Sequence, residues 1–401
     1  MPSPIPDLEQ RDLLAQISDR EGLESHLGHS GRSLYCGFDP TAPSLHIGSL
    51  VPLLTLRRFQ LAGHAPIALV GGATGLIGDP SGRVDERSLN DTDVVHSWVE
   101  RLSMQVSRFI DLDGSYGAKV VNNLEWTSSL DALGFLRDIG KHFSVNTMMQ
   151  RDSVKNRLGR EGEGISYTEF SYMLLQAYDF LELSRRHQCT IQVGGSDQWG
   201  NMVSGIDLIR RMDGQQAFVL TVPLVTRSDG LKFGKTAEGS IWLDPDMTSP
   251  YRFYQFWLNT SDEDVALFLG YFTFLDSSVL AEAASQVRDR PGDRAAQRLL
   301  AREVTLLAHG HEALTSAERI TKALFAGEVA DLKQEDLNQL QLDGMDSTSV
   351  PDEEELLSAL VRADLAKSRG AGRRLVDGKG LQMNGKLVEL PGEVLRRADA
   401  L

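Results

Sequence analysis

The sequence predicts an α/β protein in which an open, mostly parallel sheet is followed by an all-helical region and a small α+β tail. Three observations predict this fold. Residues 66–70 form a continuous apolar run and residues 190–193 a second predicted strand, and each is followed by a pair of glycines. A continuous apolar run is typical of a buried parallel strand. Beyond about residue 250, strand signals give way to helical spacing. Near the chain end, Asn384-Gly385 lies between alternating apolar residues, as in a hairpin.

The first half of the chain alternates between strands and helices. A strand, a helix and a second strand joined by short links predict a right-handed parallel crossover. Glycines that follow such strands lie at the edge of the sheet where ligands bind. The predicted elements are a strand at 34–38, a turn at 39–43, a helix at 50–62, a strand at 66–70, helices around 91–109 and 130–150, and a strand at 190–193.

The second half has a different character. Amphipathic spacing predicts helices over 251–274 and 281–325. Residues 341–352 are rich in Asp, Gly, Ser and Thr, which is typical of a linker. In the tail we expect helices at 353–366 and 371–376 and a hairpin at 381–388. The predicted regions are therefore a sheet domain at 1–225, a loop and helical domain at 226–340, the linker at 341–352 and a tail domain at 353–401.

The bulk composition is that of a globular protein of two or three domains. The chain has 401 residues, of which 41% are hydrophobic and 24% charged. We find neither a signal-peptide pattern nor an apolar run of about 20 residues that could span a membrane. Cys36 and Cys189 make neither a disulfide framework nor a zinc site. We therefore expect a cytoplasmic protein with free thiols and no membrane partner.

Charge is unevenly distributed along the chain. The net charge of −15 argues against a general nucleic-acid binder. Residues 366–386 instead carry six basic side chains and one acidic side chain, a net charge of +5. This stretch is either a solvated basic face or a binding site for a nucleic-acid backbone.

Two motifs, far apart in sequence, suit phosphate groups. His46-Ile47-Gly48-Ser49 stands at the start of a predicted helix, where unpaired N–H groups and the helix dipole attract anions. Gly48 permits close approach of a nucleotide, and His46 can donate a hydrogen bond to a phosphate oxygen. Lys232-Phe233-Gly234-Lys235-Thr236 places two cations around a glycine, which suits a clamp on pyrophosphate. Taken singly, a structural histidine and a solvated loop explain these motifs as well.

A glycine-rich loop and a helix face add polar groups between these motifs. The loop 71–83 carries Asp79 and Arg83, and it matches neither the Walker nor the dinucleotide pattern. Tyr172, Gln176 and Asp179 are spaced to share one face of a helix. That face is either a pocket wall for polar ligand groups or an exposed surface.

The last candidate segment follows the strand at 190–193. Gly195 permits close approach of a ligand, and Asp197 and Gln198 come directly after it. An Asp in this place can accept hydrogen bonds from both ribose hydroxyls. A glycine turn with a solvated Asp is the alternative interpretation.

Together and in this order, the segments resemble the bacterial tyrosyl-tRNA synthetases, which are class I enzymes. Tryptophanyl enzymes share the fold but not this set of motifs. The resemblance implies a Rossmann-like catalytic domain with a helical dimerisation insertion, a mobile loop with an anticodon-binding-type helical domain, and an RNA-binding tail. The resemblance runs from about Leu34 to the hairpin near Asn384 and is carried by residues 35–41, 71–80, 171–172, 194–200 and 232–236.

The resemblance also implies an activity. L-tyrosine would react with ATP to give tyrosyl-adenylate and pyrophosphate, and the tyrosyl group would then pass to the 3′ end of tRNA(Tyr). The tyrosine carboxylate itself attacks phosphorus, so catalysis rests on positioning and charge stabilisation. ATP would be a substrate, accompanied by Mg²⁺ without a dedicated protein site. A hydrogen-bonding pocket left unpaired by phenylalanine rejects that substrate, and tyrosyl-tRNA synthetases are the standard example of such rejection.

Each matching residue receives an implied role. The phenol hydroxyl of tyrosine would be held by Tyr35 and Asp179. The ammonium group would be held by Asp79, Tyr172 and Gln176, with Gln198 near the carboxylate. The adenosine side would contact Asp39 and Asp197, with Gly37, Gly48 and Gly195 allowing close approach. The ATP γ-phosphate would be stabilised by Thr41 and His46, with Ser49 facing the nucleotide. The clamp on pyrophosphate would comprise Arg83, Arg87, Lys232, Lys235 and Thr236.

Three positions depart from the family pattern. Ser49 replaces a second histidine, and Arg83 stands where lysine is frequent. The chain stops at Leu401, where the family's tail runs on, so we expect the RNA-binding domain to be incomplete at its C-terminus. The resemblance further implies a homodimer formed through the insertion around 130–158. The tail residues expected to contact tRNA are Lys367, Arg369, Arg373 and Arg374.

Two other functions stay open at this point. One is a nucleotidylyltransferase of the same superfamily, against which the phenol-binding residues and the basic tail both argue. The other is a synthetase-derived RNA-binding or regulatory protein that has lost amino-acid activation, and Ser49 alone supports it.

Overall fold

A computed structural model describes most of the chain in two compact units. The first unit comprises Met1–Leu243 with Ser261–Ala296, and the second comprises Asp244–Thr260 with Gln297–Leu401. The described residues are 3–79, 91–151, 154–155, 164–228, 233–236, 239–326 and 329–396, with only the backbone at 235, 236 and 330.

A six-stranded sheet forms the centre of the first unit. Its strands are β1 (Gln16–Ile17), β2 (Ser33–Phe38), β3 (Ala65–Val70), β4 (Lys119–Asn122), β5 (Cys189–Gly195) and β6 (Phe218–Val222). Their order is β1-β6-β5-β2-β3-β4, and only β1 runs antiparallel to its neighbour. The predicted parallel α/β sheet and its three predicted strands are confirmed, whereas β1, β4 and β6 escaped the sequence analysis.

The register of the sheet brings several strand ends to one edge. Phe38 pairs with Val70 at the ends of β2 and β3, and Gly195 pairs with Val222 at the ends of β5 and β6. Because these strands are parallel, the loops that follow them emerge side by side. The segments that the sequence analysis singled out after β2, β3 and β5 therefore share one edge of the sheet.

Helices cover the sheet of the first unit. The predicted helices at 50–62 and 91–109 are confirmed, with slightly shorter bounds. Caps define several ends: Ser166 accepts a hydrogen bond from the Glu169 amide, and Gly214 ends its helix in the left-handed conformation. The helices are Ile5–Gln10, Arg20–Leu27, Leu50–Leu61, Thr74–Ile77, Thr92–Val106, Leu124–Thr127, Ala132–Gly134, Val145–Met149, Tyr167–His187, Trp199–Asp213, Asp262–Phe272 and Ser277–Asp289.

The helical segment expected around 130–150 is broken into short pieces. Between the helices Ala132–Gly134 and Val145–Met149 lie a π-helical stretch, Phe135–Ile139, and a 3-10 turn, Gly140–His142. Glycines flank the π-helical stretch, and glycine is a weak helix former. Apolar spacing alone therefore overestimated the regularity of this segment.

Helix Tyr167–His187 packs against the sheet through a core of large side chains. The rings of Tyr35 and Phe180 lie 5.2 Å apart, and Trp126 is buried in the same cluster. This packing fixes the inward face of the helix, on which Tyr172 and Asp179 are buried. The alternative of an exposed polar face is therefore wrong.

The second unit is helical and ends in a small hairpin. Helices Pro250–Leu258 and Gln334–Leu342 pack together, and the Ser249 hydroxyl donates a 2.5 Å hydrogen bond to Asp343. The long helix Ala295–Ala326 is interrupted at Gly310, where φ is 82°. The second unit also contains the 3-10 turn Val329–Asp331, the helices Leu356–Arg362 and Arg369–Asp377, and the strands Gln382–Met383 and Lys386–Leu387.

The predicted Asn-Gly hairpin of the tail is confirmed. Strands Gln382–Met383 and Lys386–Leu387 pair antiparallel, with φ of 52° at Asn384 and 74° at Gly385. Two consecutive residues with positive φ are what a tight two-residue turn demands.

The boundary between the two units differs from the predicted domain boundary. The helices Asp262–Phe272 and Ser277–Asp289 lie in the first unit, whereas from the sequence they were expected in the region 226–340. Over the described residues, none of the helices has the length and apolar character that crossing a membrane requires.

Candidate active site

A cavity of about 490 Å³ opens where β2, β3 and β5 end. It brings together predicted site residues that lie up to 163 positions apart in the sequence, from Tyr35 to Gln198. The predicted residues that line it are Tyr35, Gly37, Asp39, Thr41, His46, Gly48, Ser49, Asp79, Tyr172, Gln176, Asp179, Gly195 and Gln198.

Other predicted site residues are placed differently. Asp197 is exposed in the 3-10 turn Ser196–Gln198, directly after Gly195. Arg83, Arg87 and Lys232 lie outside the described residues, and only the backbone of Lys235 and Thr236 is described. The predicted tRNA contacts Lys367, Arg369, Arg373 and Arg374 are exposed on the second unit.

Asp179 lies at the closed end of the cavity and is only 2% exposed. Its carboxylate accepts hydrogen bonds from Trp126 Nε1 at 2.7 Å and from Asn123 Nδ2 at 3.0 Å. Burial raises the pKa of this carboxyl from its usual value to about 7, and the two hydrogen bonds oppose that rise. Asn123 and Trp126 follow β4, a strand too short for its apolar pattern to be recognised, so sequence reasoning missed both.

The Tyr35 hydroxyl is also buried in this region. It has no hydrogen-bond partner among the described residues. Burial, and then the charge of Asp179, raise the Tyr35 pKa well above its usual value, so the hydroxyl keeps its proton. A buried hydroxyl without a protein partner is costly unless a ligand completes its hydrogen bonding. Tyr35 and Asp179 together therefore suit a ligand hydroxyl.

Asp39 joins two parts of the site. Its carboxylate accepts hydrogen bonds from the Tyr172 hydroxyl at 2.7 Å and from the Thr74 hydroxyl at 2.6 Å. Thr74 in turn accepts from Asn123 Nδ2 at 3.0 Å, and Asn123 also bonds to Asp179. A continuous hydrogen-bonded chain thus connects the residue predicted at the phenol with the residue predicted at the adenosine. Thr74 had no signal in the sequence beyond its place in the glycine-rich loop.

A second network lies around Asp79. Gln198 Nε2 donates a 2.6 Å hydrogen bond to the Asp79 carboxylate. Asn201 Nδ2 donates to Gln176 Oε1 at 3.1 Å and to Gln198 Oε1 at 3.4 Å. These contacts align acceptor groups along one wall of the cavity. Carboxylates in such a cavity attract an ammonium group.

His46 lies at the open end of the cavity and is exposed. Its Nδ1 accepts a 3.0 Å hydrogen bond from the Gly48 amide, so the neutral ring carries its proton on Nε2. The predicted helix start is confirmed, because a 3-10 turn, Ile47–Ser49, leads into the helix Leu50–Leu61. Ser49 lines the cavity and makes no side-chain capping bond to that helix.

Phe233 and Gly234 of the second motif lie beside the first motif, residues 46–49. The Phe233 ring stacks on Phe272 at 5.3 Å and meets the edge of Phe268 at 5.1 Å. Gly234 accepts a hydrogen bond from the Ile241 amide, and the Ile241 carbonyl accepts one from Ile47. The two motifs, which the sequence separates by almost two hundred residues, therefore meet at the mouth of one cavity.

The helix that anchors Phe233 is itself held at its C-terminal end. Arg58 Nη2 donates to the carbonyls of Gly270 at 3.3 Å and Thr273 at 2.6 Å. Arg11 Nη1 donates to the same two carbonyls. Carbonyls at a helix end lack intrahelical partners, so these guanidinium groups stabilise the end of helix Asp262–Phe272.

Comparisons with known proteins identify the family of this chain. The profile of the family "tRNA synthetases class I (W and Y)" matches residues 29–326. The chain is 54% identical over 399 residues to the tyrosine–tRNA ligase of Aliivibrio fischeri (strain MJ11), covering 99% of this chain and 94% of the relative. It is 51% identical over 396 residues to that of Klebsiella pneumoniae (strain 342), covering 98% and 93%.

Solved structures of proteins with lower sequence identity give the same result. A C-terminally truncated mitochondrial tyrosyl-tRNA synthetase from Aspergillus nidulans matches with a TM-score of 0.73 at 31% identity, covering 81% of this chain and 95% of that one. A tryptophanyl-tRNA synthetase from Encephalitozoon cuniculi shares the fold, with a TM-score of 0.56 at 13% identity and coverage of 83% and 89%. The chain therefore belongs to the class I tRNA synthetases and, within them, to the tyrosine–tRNA ligase family.

Proposed function

We propose that the cavity activates L-tyrosine with ATP to give tyrosyl-adenylate and pyrophosphate, and that the tyrosyl group then passes to the 3′ end of tRNA(Tyr). The relatives that match nearly the whole chain are tyrosine–tRNA ligases, which favours this enzyme over the two alternatives left open by the sequence. One observation supports the choice of tyrosine most directly. The Tyr35 hydroxyl and the Asp179 carboxylate are both buried in the cavity wall.

Tyr35 and Asp179 complement a phenol hydroxyl. The substrate phenol would donate a hydrogen bond to the Asp179 carboxylate and accept one from the Tyr35 hydroxyl. Phenylalanine would leave the Tyr35 hydroxyl unpaired and give Asp179 no ligand hydrogen bond beyond those from Asn123 and Trp126, and an unpaired buried polar group costs about 1–3 kcal/mol. Rejection of phenylalanine therefore follows from the same two residues.

The ammonium and carboxylate groups of the substrate tyrosine would lie along the wall of the cavity that carries Asp79. We assign the ammonium group to Asp79, Tyr172 and Gln176, with the tyrosine carboxylate near Gln198. Asp39 has its carboxylate hydrogen-bonded to Tyr172, so it lies between the ammonium subsite and the adenosine subsite. This wall holds the tyrosine carboxylate toward the α-phosphorus, and positioning of this kind accounts for much of the rate of such reactions.

The ATP phosphates would lie at the open end of the cavity. His46 would donate from Nε2 to the γ-phosphate, together with Thr41, while Gly37, Gly48 and Gly195 permit close approach of the nucleotide. Ser49 would face the ribose, with Asp197 beside Gly195. Arg83, Arg87, Lys232, Lys235 and Thr236 remain the proposed clamp on pyrophosphate. These groups would stabilise charge that grows as pyrophosphate leaves.

Magnesium would reach the site with ATP. Over the described part of the chain, no group of three or more His, Cys, Asp or Glu side chains is arranged to hold a metal ion. We assign Mg²⁺ to the ATP phosphates, where it would neutralise charge.

Assembly and tRNA binding are further parts of the proposal. The broken segment around 130–150 exposes Leu133, Leu136, Val145 and Met149 by 79%, 53%, 57% and 47%. Exposed apolar side chains grouped in one segment favour a protein interface, and we propose that this one pairs two copies of the chain. We assign tRNA backbone contacts to Lys367, Arg369, Arg373 and Arg374, and we place the enzyme in the cytoplasm.

Tyrosine-dependent exchange of pyrophosphate into ATP tests the proposed function. We expect exchange with tyrosine, weaker exchange and lost preference over phenylalanine in Asp179→Ala, and reduced preference in Tyr35→Phe. Tyr178→Phe is the matched control, because Tyr178 is half-buried on the same helix as Asp179. This variant should keep the preference for tyrosine over phenylalanine. Absence of tyrosine-dependent exchange in the parent protein would overturn the proposal, and unchanged selectivity in Asp179→Ala would overturn the pocket assignment.

A further inference from the structure

The backbone that leads into His46 is held from two sides. On one side, Gln105 Oε1 accepts a 2.9 Å hydrogen bond from the Leu45 amide, and Gln105 Nε2 donates a 3.1 Å hydrogen bond to the Ser44 hydroxyl. On the other side, the Leu45 carbonyl accepts a 2.8 Å hydrogen bond from the Leu243 amide. Both polar groups of the Leu45 backbone are thus engaged immediately before His46.

Both polar atoms of the Gln105 side chain are used in these hydrogen bonds. It is 5% exposed, on helix Thr92–Val106, and its amide reaches 60 residues back along the chain. Ser44 and Leu45 are 4% and 5% exposed, so water cannot readily replace the amide contacts. Nothing in the assigned roles of the active site uses Gln105.

We propose that Gln105 is a positioning residue for His46, acting through the Ser44–Leu45 backbone. The His46 ring accepts a hydrogen bond from the Gly48 amide of the same segment, so the placement of this backbone sets where Nε2 points. The inference rests on the proposed role of His46 at the ATP phosphates. Misplacement of a catalytic group by about 1 Å can cost on the order of 100-fold in rate.

Two substitutions at position 105 separate positioning from simple folding. Gln105→Leu removes both hydrogen bonds at nearly constant volume. Gln105→Glu keeps an acceptor for the Leu45 amide. In tyrosine-dependent pyrophosphate exchange we expect Gln105→Leu to lower kcat by about 10- to 100-fold while the KM for tyrosine stays within twofold. Gln105→Glu should recover most of that loss.

Gln60 provides the matched control. It is 7% exposed and also holds backbone, through Nε2 to the carbonyls of Asp111 at 2.6 Å and Tyr116 at 2.9 Å. It does not line the active-site cavity. Gln60→Leu should lower the Tm to a similar extent as Gln105→Leu while leaving kcat within twofold. An equal loss of kcat in the Gln60→Leu variant would overturn the proposal.

A double-mutant cycle with His46→Ala tests the route of the effect. If Gln105 acts through His46, then Gln105→Leu should lower kcat by less than twofold once His46 is alanine. The same fold loss in both backgrounds would overturn the proposal. If His46→Ala alone leaves kcat unchanged, the proposed role of His46 fails, a result distinct from an additive cycle. Should Gln105→Leu fail to fold, the cycle is run with Gln105→Asn, whose shorter side chain cannot span both contacts, and the same fold loss in both backgrounds overturns the proposal equally.

Discussion

Gly234 lies so close to Ile47 that a Cβ atom at position 234 would be 2.9 Å from Ile47 Cγ1. The two residues belong to the two motifs that we propose bind phosphate, and their contact joins Gly234 of the second motif to the first. Gly234 also has a φ of 76°, a conformation that residues with a side chain rarely adopt. Steric fit and backbone conformation therefore both require glycine at this point.

We predict that Gly234→Ala lowers kcat for adenylate formation by about 10-fold, since a positive φ costs a non-glycine residue about 1–2 kcal/mol and the Ile47 contact adds to it. The KM for tyrosine should not change. Gly239→Ala is the control, because Gly239 has a φ of 120° but no atom within 4 Å of an added Cβ. Pyrophosphate exchange measures both variants, and equal losses would show that the Ile47 contact does not matter.

The stacking of Phe233 on Phe272 predicts a coupling between these positions. We expect Phe233→Leu and Phe272→Leu each to raise the KM for ATP, because each loosens the anchor of the second motif. Aromatic pairs contribute about 0.5–1.5 kcal/mol beyond their burial, so the double variant should be less impaired than the product of the single effects. Pyrophosphate exchange at varied ATP concentration provides the measurement. Strictly multiplicative effects would contradict a direct stacking contribution.

The pKa of Asp179, raised to about 7 by burial, predicts a pH dependence of stability. The unfolded carboxyl loses its proton near pH 3.9, so between about pH 4 and pH 7 the folded state binds more protons and stability falls as pH rises. The slope from this group is at most about 1.4 kcal/mol per pH unit. Asp179→Asn should flatten the dependence, as measured by Tm between pH 4.5 and pH 8.

Asp213 supplies the control for that experiment. Its hydrogen bond to Arg185 lowers the pKa of its carboxyl, so it contributes stability that is lost only as pH falls below the usual range of aspartate. Asp213→Asn should therefore leave the slope of Tm between pH 4.5 and pH 8 unchanged. A flattened slope in this variant, or an unchanged slope in Asp179→Asn, would contradict the assignment.

The exposed apolar side chains around 130–150 predict the site of self-association. Leu133→Asp should shift the protein from dimer to monomer in sedimentation velocity, because a charge would be buried in an apolar interface. Leu61→Asp is the control, since Leu61 is 59% exposed on helix Leu50–Leu61, outside this segment. A dimer that persists in Leu133→Asp, or that is lost equally in Leu61→Asp, would place the interface elsewhere.

Several features of this protein follow from its sequence alone. The strand at 66–70 was recognisable because a fully buried parallel strand is a continuous apolar run, and the tail hairpin because Asn-Gly favours positive φ. The order of the motifs also identified the family, because each motif combines particular residue types at particular places in the sequence. These signals are local in the sequence, so they can be recognised without knowing the fold.

The tertiary structure decided what depends on distant partners. Four contacts join positions that are 53 to 187 residues apart in the sequence. Asn123 and Trp126 donate hydrogen bonds to Asp179, Gly234 contacts Ile47, and Gln105 accepts a hydrogen bond from the Leu45 amide. No local pattern encodes such pairs, because they form only when sheet register and helix packing bring the chain together. The raised pKa of Asp179 is of the same kind, since it comes from burial, which belongs to the whole fold and not to the residue.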